Sequence, residues 1–175
     1  MNWTALLNAE IEDKFQSTAA LLGMVDDSML GWNPPSGENW MTMGQLIRHL
    51  PEACGFCMRG FVTEGWELPA GVDPADAAPE GLMPQADDMR AATSVGEVIA
   101  KFAEDKELAH AMVAEAGEER LANEVSTAPW DPRPMPLGQR LLGMVEHLAV
   151  HRAQLFYYLK LMGKPVNTKH MYGVG

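Results

Sequence analysis

Cysteine is almost missing from this chain. Two residues in 175 cannot form a disulfide framework, which argues against a small secreted scaffold. Long apolar runs are missing too: no window approaches the roughly 20 uninterrupted apolar residues that a membrane span needs. Basic charge is scarce, with 13 Lys and Arg against 24 Asp and Glu and a formal net charge of -11. Nucleic-acid binding draws much of its affinity from neutralised phosphates and leaves a basic footprint, and none is visible. The start, Met1-Asn2-Trp3-Thr4, has no basic stretch leading into an apolar core, so no signal peptide is expected. The expected compartment is therefore the cytoplasm. Internal repeats and low-complexity tracts are also absent. With 47% hydrophobic and 21% charged residues, the chain has the material for one domain over residues 1–175 with its own core.

What is present is helical periodicity. Leu7, Ile11, Phe15, Thr18 and Leu22 recur in steps of three and four, widened by Leu6 and Leu21, and predict a helix from about Trp3 to Met24. Thr42-Met43-Gly44-Gln45 fits a capping box, with Met41 and Leu46 at the two positions of a hydrophobic staple. The helix it opens should end near Gly65, with inward positions Leu46, His49, Ala53, Phe56 and Gly60. Pro51 removes one backbone bond inside it, so a kink or break is expected close to His49. A second capping box, Ser94-Val95-Gly96-Glu97, opens a third helix with Val98, Phe102, Ala109, Met112 and Val113 on its apolar side. Gly117 is its expected stop. Two proline-rich links, Trp66 to Thr93 and Glu118 to Met135, separate these helices. In the second, Glu124-Val125-Ser126-Thr127 has the composition of a short strand.

The fourth helix is the best defined. Pro136 stands at its start, Gly163 at its stop and Pro165 just beyond, which delimits Leu137 to Met162. Its inward line reads Met144, His147, His151, Gln154 and Tyr158. One step further back lies Arg140, near enough to the helix start for its long side chain to reach water. His147 and His151 are four apart and project from one face, a spacing that lets two imidazoles reach one metal ion. The same spacing also arises by chance among solvated or core histidines. Four helices with proline-rich connections and no run of alternating strands predict an all-α four-helix bundle. In that arrangement His49 faces inward alongside His147 and His151, so three histidines from two helices can converge.

The segment Trp40-Met41-Thr42-Met43-Gly44-Gln45-Leu46-Ile47-Arg48-His49-Leu50 and the motif His147-x-x-x-His151-Arg152-Ala153-Gln154-Leu155 resemble those of the DinB/YfiT-like family. The tail from Gly163-Lys164-Pro165 to Met171-Tyr172-Gly173 resembles that family's ending, and the likeness covers nearly the whole chain. Val150 stands where many members carry a further histidine, and Ala153 where many carry glycine. The resemblance implies a four-helix bundle, a homodimer, and His49, His147 and His151 as ligands of a divalent metal ion. Three neutral imidazoles leave coordination positions open, as in a catalytic rather than a structural site. Imidazole suits several ions, with zinc or nickel leading and iron still open. The resemblance implies activation of a low-molecular-weight thiol for S-transfer. A metal-dependent hydrolase, and a non-catalytic metal- or small-molecule-binding stress protein, remain the alternatives. Gln154 and Tyr158 follow the ligands on the inward face, where they can orient a ligand or simply complete the core. Trp130, with Tyr158, is a candidate contact at the mouth shaped by the two links.

Other features carry less. Cys54-Gly55-Phe56-Cys57 has C-x-x-C spacing without a strand–helix context, which favours buried, inert thiols. Glu107-Leu108-Ala109-His110 matches one half of a di-iron motif, but Met144 and Leu148 occupy the positions where the other half needs glutamate. His110 and His170 are expected at the surface or in secondary roles.

Overall fold

The computed structural model describes residues 2–63, 65–66 and 86–174, and these are mostly helical. The expected link from Trp66 to Thr93 lies, between 67 and 85, outside the described residues.

Helix α1 spans Trp3–Leu22, with the Asn2 side chain accepting from the Ala5 N–H at 2.9 Å. Its first turn has a second acceptor from far away in sequence: the Glu118 carboxylate takes the N–H groups of Trp3 and Thr4 at 3.0 and 2.9 Å. Leu7, Ile11, Phe15, Leu21 and Leu22 are buried, as their spacing predicts. Phe15 stacks on Phe102 with ring centroids 4.6 Å apart.

Helix α2, Met43–His49, opens on the expected capping box: Thr42 N–H to Gln45 Oε1 at 2.7 Å, and Gln45 N–H to Thr42 Oγ1 at 3.2 Å. The break at Pro51 is also present. A single 3-10 turn, Leu50–Glu52, separates α2 from helix α3, Gly55–Thr63. Proline cannot donate to the preceding turn, so the chain changes direction just after His49.

Helix α4 covers Val95–Asn123 in two stretches that meet at a kink, and its start departs from the sequence reading. Ser94 stands at the N-cap in extended conformation, yet its side chain makes no capping bond. Asp27 Oδ1 accepts from the Val95 N–H at 2.8 Å instead, and Glu97 binds Lys101. A distant carboxylate thus serves the first helical N–H, and Ser94 serves none. The expected stop at Gly117 is present, but a further helical stretch begins directly beyond it. It takes φ 66° and ψ 165°, a conformation open to glycine, and the helix resumes beyond it. The resumed turn is held by Glu118 on the start of α1 and by Leu121, which is fully buried.

Strand β1, Val125–Ala128, pairs antiparallel with β2, Asp131–Pro136, in register Val125 with Pro136 and Ser126 with Met135. In a two-stranded ribbon both strands are edges, which is where prolines such as Pro132 and Pro134 are tolerated. Helix α5, Leu137–Leu161, follows, with Gly163 left-handed just beyond its end. A short helix α6, Thr168–Tyr172, was not anticipated; Asn167 and His170 form its capping box. Helix α1 packs on α4 and α5, α3 on the same two helices, and α2 against α5. Among the described residues no helix is long and apolar enough to cross a membrane.

Candidate metal centre

Helix α5 contributes two imidazoles and the end of α2 contributes the third. The His147 and His151 rings lie 4.5 Å apart between centroids, and His49 is 5.5 and 4.6 Å from them. One ligand atom from each falls within 4.8 Å of the others. His49 sits there because Pro51 turns the chain immediately after it. The i, i+4 spacing on α5 supplies the other two. The structure thus brings together all three histidines that the sequence singled out.

Hydrogen bonds assign the protons. His147 Nδ1 lies 3.1 Å from the Ala53 carbonyl oxygen, and His151 Nδ1 lies 2.7 Å from Gln154 Oε1. Both oxygens can only accept, so each Nδ1 carries the hydrogen and each neutral ring presents a lone pair on Nε2. Those two Nε2 atoms are 2.8 Å apart. Two facing lone pairs at that distance repel unless a cation stands between them. A proton would do so only by charging a largely buried ring. Burial opposes that: it lowers His49 and His151 to about 4, with the neighbouring imidazoles adding to the effect. Burial lowers His147 as well, against the opposing pull of the Ala53 carbonyl. At neutral pH the rings are uncharged and their lone pairs are available. A separation of 2.8 Å is within reach of one ion bonded to both nitrogens at about 2.0–2.1 Å. The donor set therefore fits a divalent metal ion, and Gln154 and the Ala53 carbonyl hold the rings in the tautomer that such binding needs.

The remaining expected residues divide. Gln154 touches the cluster directly. Tyr158 is buried one turn further on, where its hydroxyl donates to the Met41 carbonyl at 2.9 Å and its ring meets the edges of Trp32 and Trp40. Burial raises its phenol above the ordinary value, so it stays protonated. Trp130 packs against Trp66 and Phe61, with centroids 5.1 and 6.0 Å away. That cluster lies at the level of Arg140, whose guanidinium sits 5.7 Å above the Phe61 ring, about two turns before His147 on α5.

Arg140 itself corrects an expectation. It is 5% exposed and does not reach water. Its guanidinium donates to Asp131 Oδ2 at 3.1 Å and to the Arg133 carbonyl at 2.6 Å, tying the β1–β2 hairpin to α5. Closing the hairpin over the helix start leaves this side chain inside.

Cys54 and Cys57 are free thiols at the start of α3. Burial raises both, Cys57 to about 12, so neither is a thiolate at neutral pH. His110 bridges α4 to α1, with Nδ1 2.6 Å from Asn8 Oδ1 and Nε2 2.8 Å from Glu12 Oε1. Glu107 is exposed. Clefts of about 180 and 290 Å³ beside α4 share Arg48, Pro51 and Lys101, and none of the three histidines lines them.

One residue was missed. Asp105 on α4 is 4% exposed, and its carboxylate accepts from the Gly55 and Phe56 N–H groups at 2.9 and 2.7 Å. Burial raises it to about 6, against the lowering effect of those bonds. The signal was available: Phe102, Asp105, Ala109 and Met112 advance in steps of three and four, which places an acid on the apolar stripe.

A family-level sequence model, that of the DinB superfamily, matches residues 10–155, a span that includes His49, His147 and His151. No curated protein and no solved structure matches the chain.

Proposed function

The chain belongs to the DinB superfamily, and from that premise and the geometry above we propose that it is a metal-dependent enzyme. His49, His147 and His151 hold one divalent ion, zinc or nickel ahead of iron. The observation that carries this reading is the pair of Nε2 lone pairs facing each other at 2.8 Å with both Nδ1 hydrogens committed elsewhere. The reading extends to a single four-helix-bundle domain that pairs as a homodimer.

The reaction proposed is S-transfer from a low-molecular-weight thiol. A divalent ion with three imidazole ligands supplies Lewis acidity that makes a thiol nucleophilic at neutral pH. The protein's own part is to keep three rings neutral, to fix the tautomers of His147 and His151 through Ala53 and Gln154, and to hold the site partly out of water. The two polar groups beside the histidines suit a nucleophile that a bound ion would itself activate. Gln154 is an amide and Tyr158 a protonated phenol hydrogen-bonded to Met41, so neither is poised as a general base. A thiol held on a bound ion would need none, and a water held there would need none either, so the titration below decides between them.

Titrating the cobalt-substituted protein with glutathione, bacillithiol and mycothiol tests this. A sulfur-to-metal charge-transfer band that is lost in His147→Ala supports thiol activation. No change with any thiol, alongside metal-dependent cleavage of an ester or amide, would replace it with the hydrolase. Silence in both assays would leave a non-catalytic metal-binding protein.

A further inference from the structure

We infer that Asp105 is a positioning residue for His147, acting across two helices through the backbone of residues 53–56; this deepens the metal-centre reading above and rests on it. Helix α3 begins abruptly after the Pro51 break, and the first N–H groups of any helix lack intrahelical acceptors. The residue ahead of Gly55 is Cys54, which is a poor cap. The acceptors come instead from α4, where one carboxylate takes both Gly55 and Phe56. The two backbones are pressed together at this point. A Cβ built on Gly55 would lie 2.2 Å from the Asp105 carbonyl oxygen and 2.8 Å from the Ala109 nitrogen.

Ala53 lies two residues before Gly55 and just outside α3, and its carbonyl accepts from His147 Nδ1 at 3.1 Å. That bond keeps the hydrogen on Nδ1 and the lone pair of Nε2 aimed at His151. Segment 53–56 is therefore clamped on one side by Asp105 and reports on the other side to a ligand. Releasing the Asp105 clamp frees the Ala53 carbonyl to drift, and with it the orientation of His147. A carboxylate suits the task because each of its two oxygens takes one N–H. An amide offers one oxygen, and its NH2 would oppose the second N–H.

The test uses the metal-free full chain first. Long-range imidazole ¹H–¹⁵N spectra should show His147 fixed as the Nδ1–H tautomer in the parent protein. In Asp105→Ala the ¹⁵N shifts of His147 should move toward the average of the two tautomers. Phe102→Leu, a core truncation on the same helix without this link, should leave them fixed at a comparable loss of stability. If Asp105→Ala does not fold, Asp105→Asn decides, with a smaller displacement of the His147 shifts and faster exchange of the Gly55 or Phe56 amide. Parent-like His147 signals in whichever of these variants folds would overturn the inference. Cobalt titration then separates the two claims. Asp105→Asn should weaken cobalt binding by about tenfold and alter the visible spectrum. If the parent protein binds no cobalt, the metal reading fails while the imidazole spectra still judge the role of Asp105.

Discussion

Gln154→Leu removes one acceptor and almost nothing else. Leucine is close to glutamine in volume, and α5 accepts it without loss of helix propensity. What disappears is the 2.7 Å bond from His151 Nδ1 to Gln154 Oε1. His151 is only 9% exposed, so its N–H has little water to turn to, and an unsatisfied buried donor costs about 1–3 kcal/mol. The ring can escape by moving the hydrogen to Nε2, but that hydrogen then occupies the lone pair aimed at the ion. Either way metal binding carries the loss. Removing such a supporting partner typically weakens affinity about 10–100-fold, or about 1.4–2.8 kcal/mol. The assay is competition of zinc against a chromophoric chelator, with cobalt spectra as a check on geometry. Gln154→Glu is the informative companion, because a carboxylate accepts the same hydrogen more strongly and should bind zinc at least as well as the parent. Affinity in Gln154→Leu within twofold of the parent, with a native fold, would refute the assignment of His151's tautomer and of Gln154's role.

Three further outcomes follow from particular contacts. His49 and His151 titrate near 4 rather than 6.5, so the unfolded chain takes up protons first as pH falls; the metal-free protein should lose stability between pH 6.5 and 4. At about 1.4 kcal/mol per pH unit this reaches at most about 3 kcal/mol for each ring, and denaturant midpoints that stay flat from pH 7 to 4.5 would contradict it. Gly55→Ala places a methyl against backbone that cannot move aside, and should destabilise by about 1–3 kcal/mol; a denaturation midpoint matching the parent's would show that the close approach is not there. Arg140→Met unties the hairpin from α5 by removing the donors to Asp131 and the Arg133 carbonyl. Hydrogen exchange should accelerate across residues 125–136 with metal stoichiometry unchanged, and parent-like protection of the hairpin would argue against the tie.

The features legible in the sequence were those written locally. The Thr42–Gln45 capping box, the Pro51 break and the limits of α5 each depend on residues within a few positions of one another, and each stands in the structure. The three histidines were legible because helical periodicity alone places them inward. Features decided by distant partners were not. Ser94 carries a sound local cap signal but makes no capping bond, while the first helical N–H, that of Val95, goes to Asp27, which is 68 positions earlier. Gly117 reads as a stop and does break the helix, but the second helical stretch beyond it, held by the burial of Leu121 and the reach of Glu118 to α1, was not legible. Arg140 looks free to reach water until the hairpin closes over it. Asp105 was visible as an acid on an apolar stripe, but the open amides it serves exist only because α3 begins where it does.

The central claim is that three histidines hold one ion, and metal stoichiometry tests it most directly. Purified parent protein, His151→Ala and His110→Ala are loaded with zinc, desalted and measured by inductively coupled plasma mass spectrometry alongside protein concentration. His110 is the control because it bridges α4 to α1 through Asn8 and Glu12. The account expects one ion per chain in the parent and in His110→Ala, and most of it lost from folded His151→Ala. Equal retention in the two variants, or no ion in the parent, would contradict it.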